Sequence, residues 1–291
     1  MANLTDLDRI AIGTIVVYVP ALAVAVTLAL RHGFGRNAGW LFLVVFSVAR
    51  ILGSALQLAT INDPTNVGLI VGAATLLSIG ISALVLVMLA LIGRVLGGIA
   101  RQGTGYAVVE PRTLRLVQLV VLVGLILGIV GGTKLGDAVS KAFDGQAQGQ
   151  APPAYSIPAE SKAGLGLLIA GYAILVGVTL AAAAHVGHVA AGERRLLLAV
   201  GLALPFLLVR IVFSAMATFG SDPNFRSFGG SPNYPHYLIG MAIVMEMATV
   251  AIIEAVGLTL QKASPAYNAP AGRPADEVEM TGRQRDGGGS Y

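Results

Sequence analysis

The sequence predicts an all-α fold, a polytopic membrane protein with seven transmembrane helices, and three observations carry that prediction. Hydrophobic residues make up 55% of the 291 residues, charged residues only 12%, and the mean hydropathy is +0.78. A soluble domain carries about twice that charge, because surface facing water needs it. The apolar residues fall in blocks of about 20, the length that crosses a hydrocarbon layer about 30 Å thick. Lys and Arg collect in alternate loops between the blocks, as they do where cytosolic loops are positive.

The blocks run over about residues 10–30, 38–60, 67–92, 114–135, 164–187, 196–219 and 237–260. In lipid every backbone N–H and C=O must be paired within the chain, so each block is read as a helix. Asp6 and Asp8 precede the first with only Arg9, and its apolar part outruns an ordinary signal core, so it is a retained helix. It carries Thr14 and Tyr18 on one stripe and a kink-prone Pro20. The second helix places Ser47, Arg50, Ser54 and Gln57 at helical spacing, and the third Thr75, Ser78 and Ser82. After the fourth, residues 136–163 hold Gln146, Gln148, Gln150, Pro152, Pro153 and Pro158 and are read as a long outer loop. The sixth carries Pro205, Arg210, Ser214 and Thr218. Residues 220–235, with Pro223, Pro232 and Pro235 among Phe225, Phe228 and Tyr234, are read as a connecting loop at the outer mouth. The seventh carries Glu246 and Glu254. The chain thus divides into a seven-helix domain, 1–262, and a Gly-, Pro- and charge-rich tail, 263–291, expected to be disordered in the cytosol.

Orientation follows from the basic residues. With the N-terminus outside, the inner segments hold Arg31, Arg36, Arg94, Arg101, Arg112, Arg115, Arg194, Arg195, Lys262, Arg273, Arg283 and Arg285. The outer segments hold only Arg9, Lys134, Lys141, Lys162 and Arg226, diluted by Asp63, Asp137, Asp144, Glu160 and Asp222. This bias puts the C-terminus in the cytosol. It also accounts for the net charge of +4 without nucleic acid, which would need a continuous basic surface. The absence of cysteine excludes disulfides, thiolate metal sites and cysteine nucleophiles.

The second and sixth helices echo each other. Ala49-Arg50-Ile51-Leu52-Gly53-Ser54-Ala55 is matched by Val209-Arg210-Ile211-Val212-Phe213-Ser214-Ala215, and Asp63-Pro64 by Asp222-Pro223. Upstream, Val26-Thr27-Leu28-Ala29 is matched by Val178-Thr179-Leu180-Ala181. Such an echo fits a parallel duplication of three helices joined by a fourth, with a site between the halves; chance similarity between apolar segments is the alternative.

Arg50, Arg210, Glu246 and Glu254 are the ionisable residues inside the spans. Each charge at the bilayer centre costs about 2.5–3.5 kcal/mol or more, so such residues face the bundle interior and pair. At about 1.5 Å per residue, Arg50, Arg210 and Glu246 reach a common depth near mid-membrane, with Glu254 nearer the cytosol. We therefore expect an intramembrane polar core of Arg50, Arg210 and Glu246, extended by Ser54, Ser214 and Gln57, with Glu254 completing a neutral set. It serves either as a functional site for a substrate, an ion or a proton, or as a clamp that fixes helix order. His185 and His188, with His32 near the same surface, are weak metal candidates; histidines at helix ends are the plainer reading. No nucleophile pattern points to an enzyme, and no cofactor is implied.

Three stretches carry a resemblance: Leu204-Pro205-Phe206-Leu207-Leu208-Val209-Arg210-Ile211-Val212-Phe213-Ser214, Gly240-Met241-Ala242-Ile243-Val244-Met245-Glu246, and Arg50 through Ala59. Over about residues 5–262 the chain resembles a fungal family of integral membrane proteins that share a seven-helix domain of unknown function. It is more distantly similar to the fungal lipid-translocating exporter family. The resemblance implies a fungal source and a membrane location, but no ligand. A G-protein-coupled receptor fits poorly: the third helix ends Ile92-Gly93-Arg94-Val95 and the seventh has no Asn-Pro-x-x-Tyr run. A retinal protein needs a Lys in the seventh span, which has none before Lys262. The sequence thus leaves three functions open. One is a transporter or lipid-handling protein with a small-molecule or lipid ligand. Another is a receptor or sensor with a pocket under loops 136–163 and 220–235 and a cytosolic partner. The third is a structural membrane protein. In each the bilayer itself is a partner, whether plasma membrane or endomembrane.

Overall fold

The computed structural model describes residues 4–32, 39–63, 66–101, 110–147, 156–185, 191–226 and 231–260. Among the described residues the chain is all-helical: α1 (Asp6–His32), α2 (Gly39–Ala59), α3 (Val67–Arg101), α4 (Pro111–Ala147), α5 (Ala159–Ala184), α6 (Ala191–Phe219) and α7 (Tyr234–Thr259). All seven are long and apolar enough to cross a membrane. The tail expected over 263–291 lies outside the described residues.

The burial pattern agrees with lipid as the outer solvent. Val16, Leu30, Leu116, Leu180, Leu198 and Leu202 are each at least 60% exposed. Leucines and valines spread so widely over the outside of a bundle are an aggregation hazard in water, whereas acyl chains solvate them. The protein is a multi-pass membrane protein.

Helix α3 is the central post. In its span 76% of the best apolar window is buried, against 28% for α1 and α4. Ala83 through Ile92 are buried all round, which is why this stretch is apolar on every face. Helices α2, α4, α5 and α6 pack on α3, while α7 joins α6 to α1.

Glycine sets the closeness of α4 to its neighbours. Gly124 and Gly128 lie against Gly164 of α5, Gly132 lies against Thr75 and Gly136 against Val71 of α3. Lipid supplies no hydrophobic drive to press helices together, so close backbone approach through small residues stabilises the contact by dispersion instead.

Two boundaries differ from the sequence reading. Residues 136–147, expected to begin an outer loop, continue α4 as far as Ala147, and α5 starts at Ala159. The stretch Thr133–Ala147 is polar but rich in helix formers and free of Pro, so it extends past the apolar span as a helix. The segment after α6 is also more than a connector. Asp222 Oδ1 accepts from the Asn224 amide at 2.9 Å and caps a 3₁₀ turn, Pro223–Phe225. Phe225 is buried, with its ring 5.9 Å from Phe213 and 4.9 Å from Tyr237. Pro20 and Pro205 sit inside α1 and α6, which run on through them.

A buried arginine pair on one carboxylate

Arg50, Arg210 and Glu246 meet in the core, and none is more than 3% exposed. Arg210 Nε donates to Glu246 Oε1 at 2.6 Å, and Arg50 Nη2 donates to the same oxygen. Arg50 lies nine residues before the end of α2 and Arg210 nine before the end of α6, so both sit about 14 Å inside the bundle. The echoed arginines of the two helices thus share one acceptor.

Each arginine is held by its own surroundings. Arg210 Nη1 donates to Ser214 Oγ one turn on, and Nη2 to the Leu77 carbonyl at 3.3 Å. Its Cζ stands 5.6 Å from the Phe213 ring. Arg50 has its Cζ 5.3 Å from the Phe46 ring, and its guanidinium lies against α3 at Gly80. Such cation–π contacts strengthen where water is excluded. A Cβ at Gly80 would stand 2.5 Å from Arg50 Nη2 and 2.9 Å from its Cζ and Nε. Gly80→Ala is therefore expected to push Arg50 off Glu246 and to destabilise the protein by about 1–3 kcal/mol. Gly97→Ala, on the same helix with nothing within 4 Å of the added carbon, is the control that should melt like the parent in the same detergent.

The cluster is incomplete in two senses. Two guanidiniums against one carboxylate leave a charge of +1 in the core. Arg50 Nε and Nη1, Glu246 Oε2 and the Tyr18 hydroxyl also have no hydrogen-bond partner. Tyr18 packs edge-on against Phe46 with centroids 5.5 Å apart, within electrostatic reach of Glu246 and both arginines. Buried polar atoms without partners are rare and mark a place where water or a ligand belongs. A π-helical turn, Leu238–Ile243, immediately precedes the segment bearing Glu246, and such turns gather at functional sites.

Glu254 stands apart from these three residues, at a different depth along α7. Glu254 is buried but stands two turns beyond Glu246, about 12 Å along α7 and out of reach of either arginine. Its Oε1 lacks a hydrogen-bond partner. Ser54 and Gln57 line a cavity beside Arg50, with Gln57 Nε2 3.4 Å from Asp8 Oδ1. Ser214 serves Arg210, as above. Among the described residues no group of three or more His, Asp or Glu is placed to hold a metal. His185 is exposed with Nδ1 2.9 Å from the Ala181 carbonyl, while His188 and the side chain of His32 lie outside the described residues.

Two cavities flank the cluster. The first, about 100 Å³, lies among α1, α2, α3 and α7 and is lined by Arg50, Thr14, Ser54 and Gln57 amid apolar residues. The second, about 180 Å³, lies among α3, α4, α5 and α6 and is lined by Arg210, Ser214, Thr218 and Arg226. Each has room for several waters. Ala74, Leu77 and Tyr234 belong to both walls and form the partition. The linings join the beginnings of α1, α3, α5 and α7 to the ends of α2, α4 and α6. Both cavities therefore lie toward the end of the bundle where the chain begins.

Tyr18, read from the sequence as part of an interior stripe, is buried in the core, whereas Gly80 and Arg226 are not legible in the sequence. Nothing in the α3 sequence marks Gly80, and Arg226 reads as one more outer charge.

A family model described as Domain of unknown function (DUF7702) matches residues 4–263. Neither a curated protein nor a solved structure matches the chain.

Proposed function

Because the chain belongs to the DUF7702 family, whose description names a domain and no activity, we propose from its own geometry that it is a carrier or lipid-handling protein. It admits a small molecule or lipid from the side where the chain begins, which the basic-residue bias makes the outer side. One observation carries this reading: one cavity reaches Arg50 and the other Arg210, the two arginines that share the Glu246 carboxylate. A polar group entering either cavity competes with Glu246 for a guanidinium. Releasing Glu246 from one arginine changes how α7 is held against α2 and α6, so binding is coupled to helix packing. A pure clamp has no use for the partnerless Arg50 donors beside a cavity.

The absence of native cysteine makes each introduced thiol unique. Ser54→Cys and Thr218→Cys are expected to react with a membrane-impermeant thiosulfonate applied from the N-terminal side. The rate should be at least about tenfold that of Leu202→Cys, which faces lipid. Inert thiols at both cavity positions mean dry cavities and leave the clamp.

A second reading, a receptor, draws on one observation: the larger cavity lies beneath Ile157 and Phe225, at the loops where an outer ligand would dock. Ser47→Cys separates the two. Ser47 is fully buried one turn from Arg50. A carrier exposes that thiol from the opposite face in a fraction of molecules, and a receptor does not.

A further inference from the structure

We infer that the larger cavity is a binding site for a single-chain amphiphilic anion, a long-chain carboxylate or alkyl phosphate, with Arg226 as the residue that reads the head group. The inference rests on the carrier reading only in requiring an open cavity, and it adds the ligand class.

The charge in the cavity wall has one sign. Its charged lining residues are Arg210 and Arg226, and among the described residues no carboxylate lines it. The nearest acid in sequence to that wall, Glu160, is engaged by Lys134 across α4 and α5. Hydroxyls of Thr75, Ser82, Ser161, Ser214 and Thr218 supply further donors.

The two arginines differ in what they have left to give. Arg210 spends Nε on Glu246, Nη1 on Ser214 and Nη2 on the Leu77 carbonyl. Arg226 gives Nη2 to the Gly220 carbonyl at 2.6 Å, while its Nε is buried and has no partner. A buried guanidinium N–H without an acceptor, at the edge of a cavity, is suited to an oxyanion. Charge-assisted bonds to carboxylate or phosphate are about twice as strong as neutral ones.

Position then fixes the kind of anion. Arg226 follows α6 at the rim of the bundle, where a lipid head group sits. From that rim the wall descends along α3 from Val71 to Ser82, about 16 Å toward mid-membrane. Leu135, Leu165, Leu168, Ile157 and Phe213 line it, and at Gly128 of α4 nothing stands within 4 Å of where a side chain would begin, which leaves room for a chain. A head at Arg226 and an acyl chain in the slot match the way an amphiphile already stands in a leaflet. The +1 core below draws the anion inward.

The test uses full-length protein in nanodiscs of zwitterionic lipid, with empty discs as the blank. The probes are fluorescent dodecanoate, its methyl ester, and, as competitors, acetate and inorganic phosphate. Dodecanoate is expected to bind at least about tenfold more tightly than the ester, the loss that follows when a charged hydrogen bond is removed. Arg226→Gln should erase that difference, and Gly220→Ala in parallel reports through the melting temperature what disturbing the segment alone costs. A Cβ at Gly128 meets nothing within 4 Å, so Gly128→Leu has room to fold and should abolish binding by filling the slot. Equal binding of acid and ester, or an acid preference that survives Arg226→Gln, overturns the anion assignment while the carrier reading stands on the thiol data. Displacement of dodecanoate by acetate or phosphate at equal concentration overturns the amphiphile assignment. No binding of any probe overturns both.

Discussion

Replacing Glu246 with Gln is expected to be the most damaging single change in the core, costing about 3–5 kcal/mol of stability. The reason is charge arithmetic in a medium that cannot solvate charge. The native cluster carries +1, from Arg50, Arg210 and Glu246. Removing an arginine leaves a neutral pair. Removing the carboxylate leaves two guanidiniums that share no counter-ion and lie within reach of the same vanished oxygen. Arg50→Gln and Arg210→Gln should therefore each cost less than Glu246→Gln. Reversible unfolding in mixed micelles gives the order directly. A ranking in which either arginine variant is the worse one means that the arginines act through packing on Phe46 and Phe213 rather than through their shared acceptor.

The second large effect is expected at a glycine with no chemistry at all. A Cβ on Gly164 would stand 2.7 Å from the Gly124 carbonyl oxygen and 3.0 Å from the Gly128 amide nitrogen. Both are backbone atoms of α4, which no rotamer change can move aside. Gly164→Ala must therefore separate the helices, at about 1–3 kcal/mol, and Gly164→Val more. Separation also strips dispersion contacts from a seam that lipid does not press shut. Gly166, two residues on, has nothing within 4 Å of its added carbon and faces outward. Gly166→Ala should be neutral or slightly stabilising through the better helix propensity of Ala. Comparing the two melting curves separates the packing effect from propensity.

The seven spans and the mid-membrane meeting of Arg50, Arg210 and Glu246 were legible in the sequence for one reason. Charges are so costly in lipid that depth alone, counted at a fixed rise per residue, nearly determines their partners. The same count sets Glu254 apart: two turns of α7 separate it from Glu246, so it offsets the charge of the arginines without pairing with them. The extension of α4 to Ala147 is hidden in the sequence because a polar stretch after an apolar span reads as a loop, although a helix leaving the membrane needs only polar residues without Pro. Gly80 was illegible because its role is an absence: the missing side chain matters only once Arg50 is known to lie there. Arg226 was obscured differently. Its importance depends on a buried N–H left over after the Gly220 carbonyl is satisfied, and that remainder appears only when the segment after α6 folds back onto the bundle.

One oxygen of Glu246 serves two arginines, and a double-mutant cycle on Arg50→Gln and Arg210→Gln tests that sharing most directly. Each single variant leaves the carboxylate one partner, and the double variant leaves it none. The unfolding free energies should therefore be non-additive, the double change exceeding the sum of the singles by about 1–3 kcal/mol. Additive costs would show that the arginines do not share Glu246, and the cluster would lose its place at the centre of the protein.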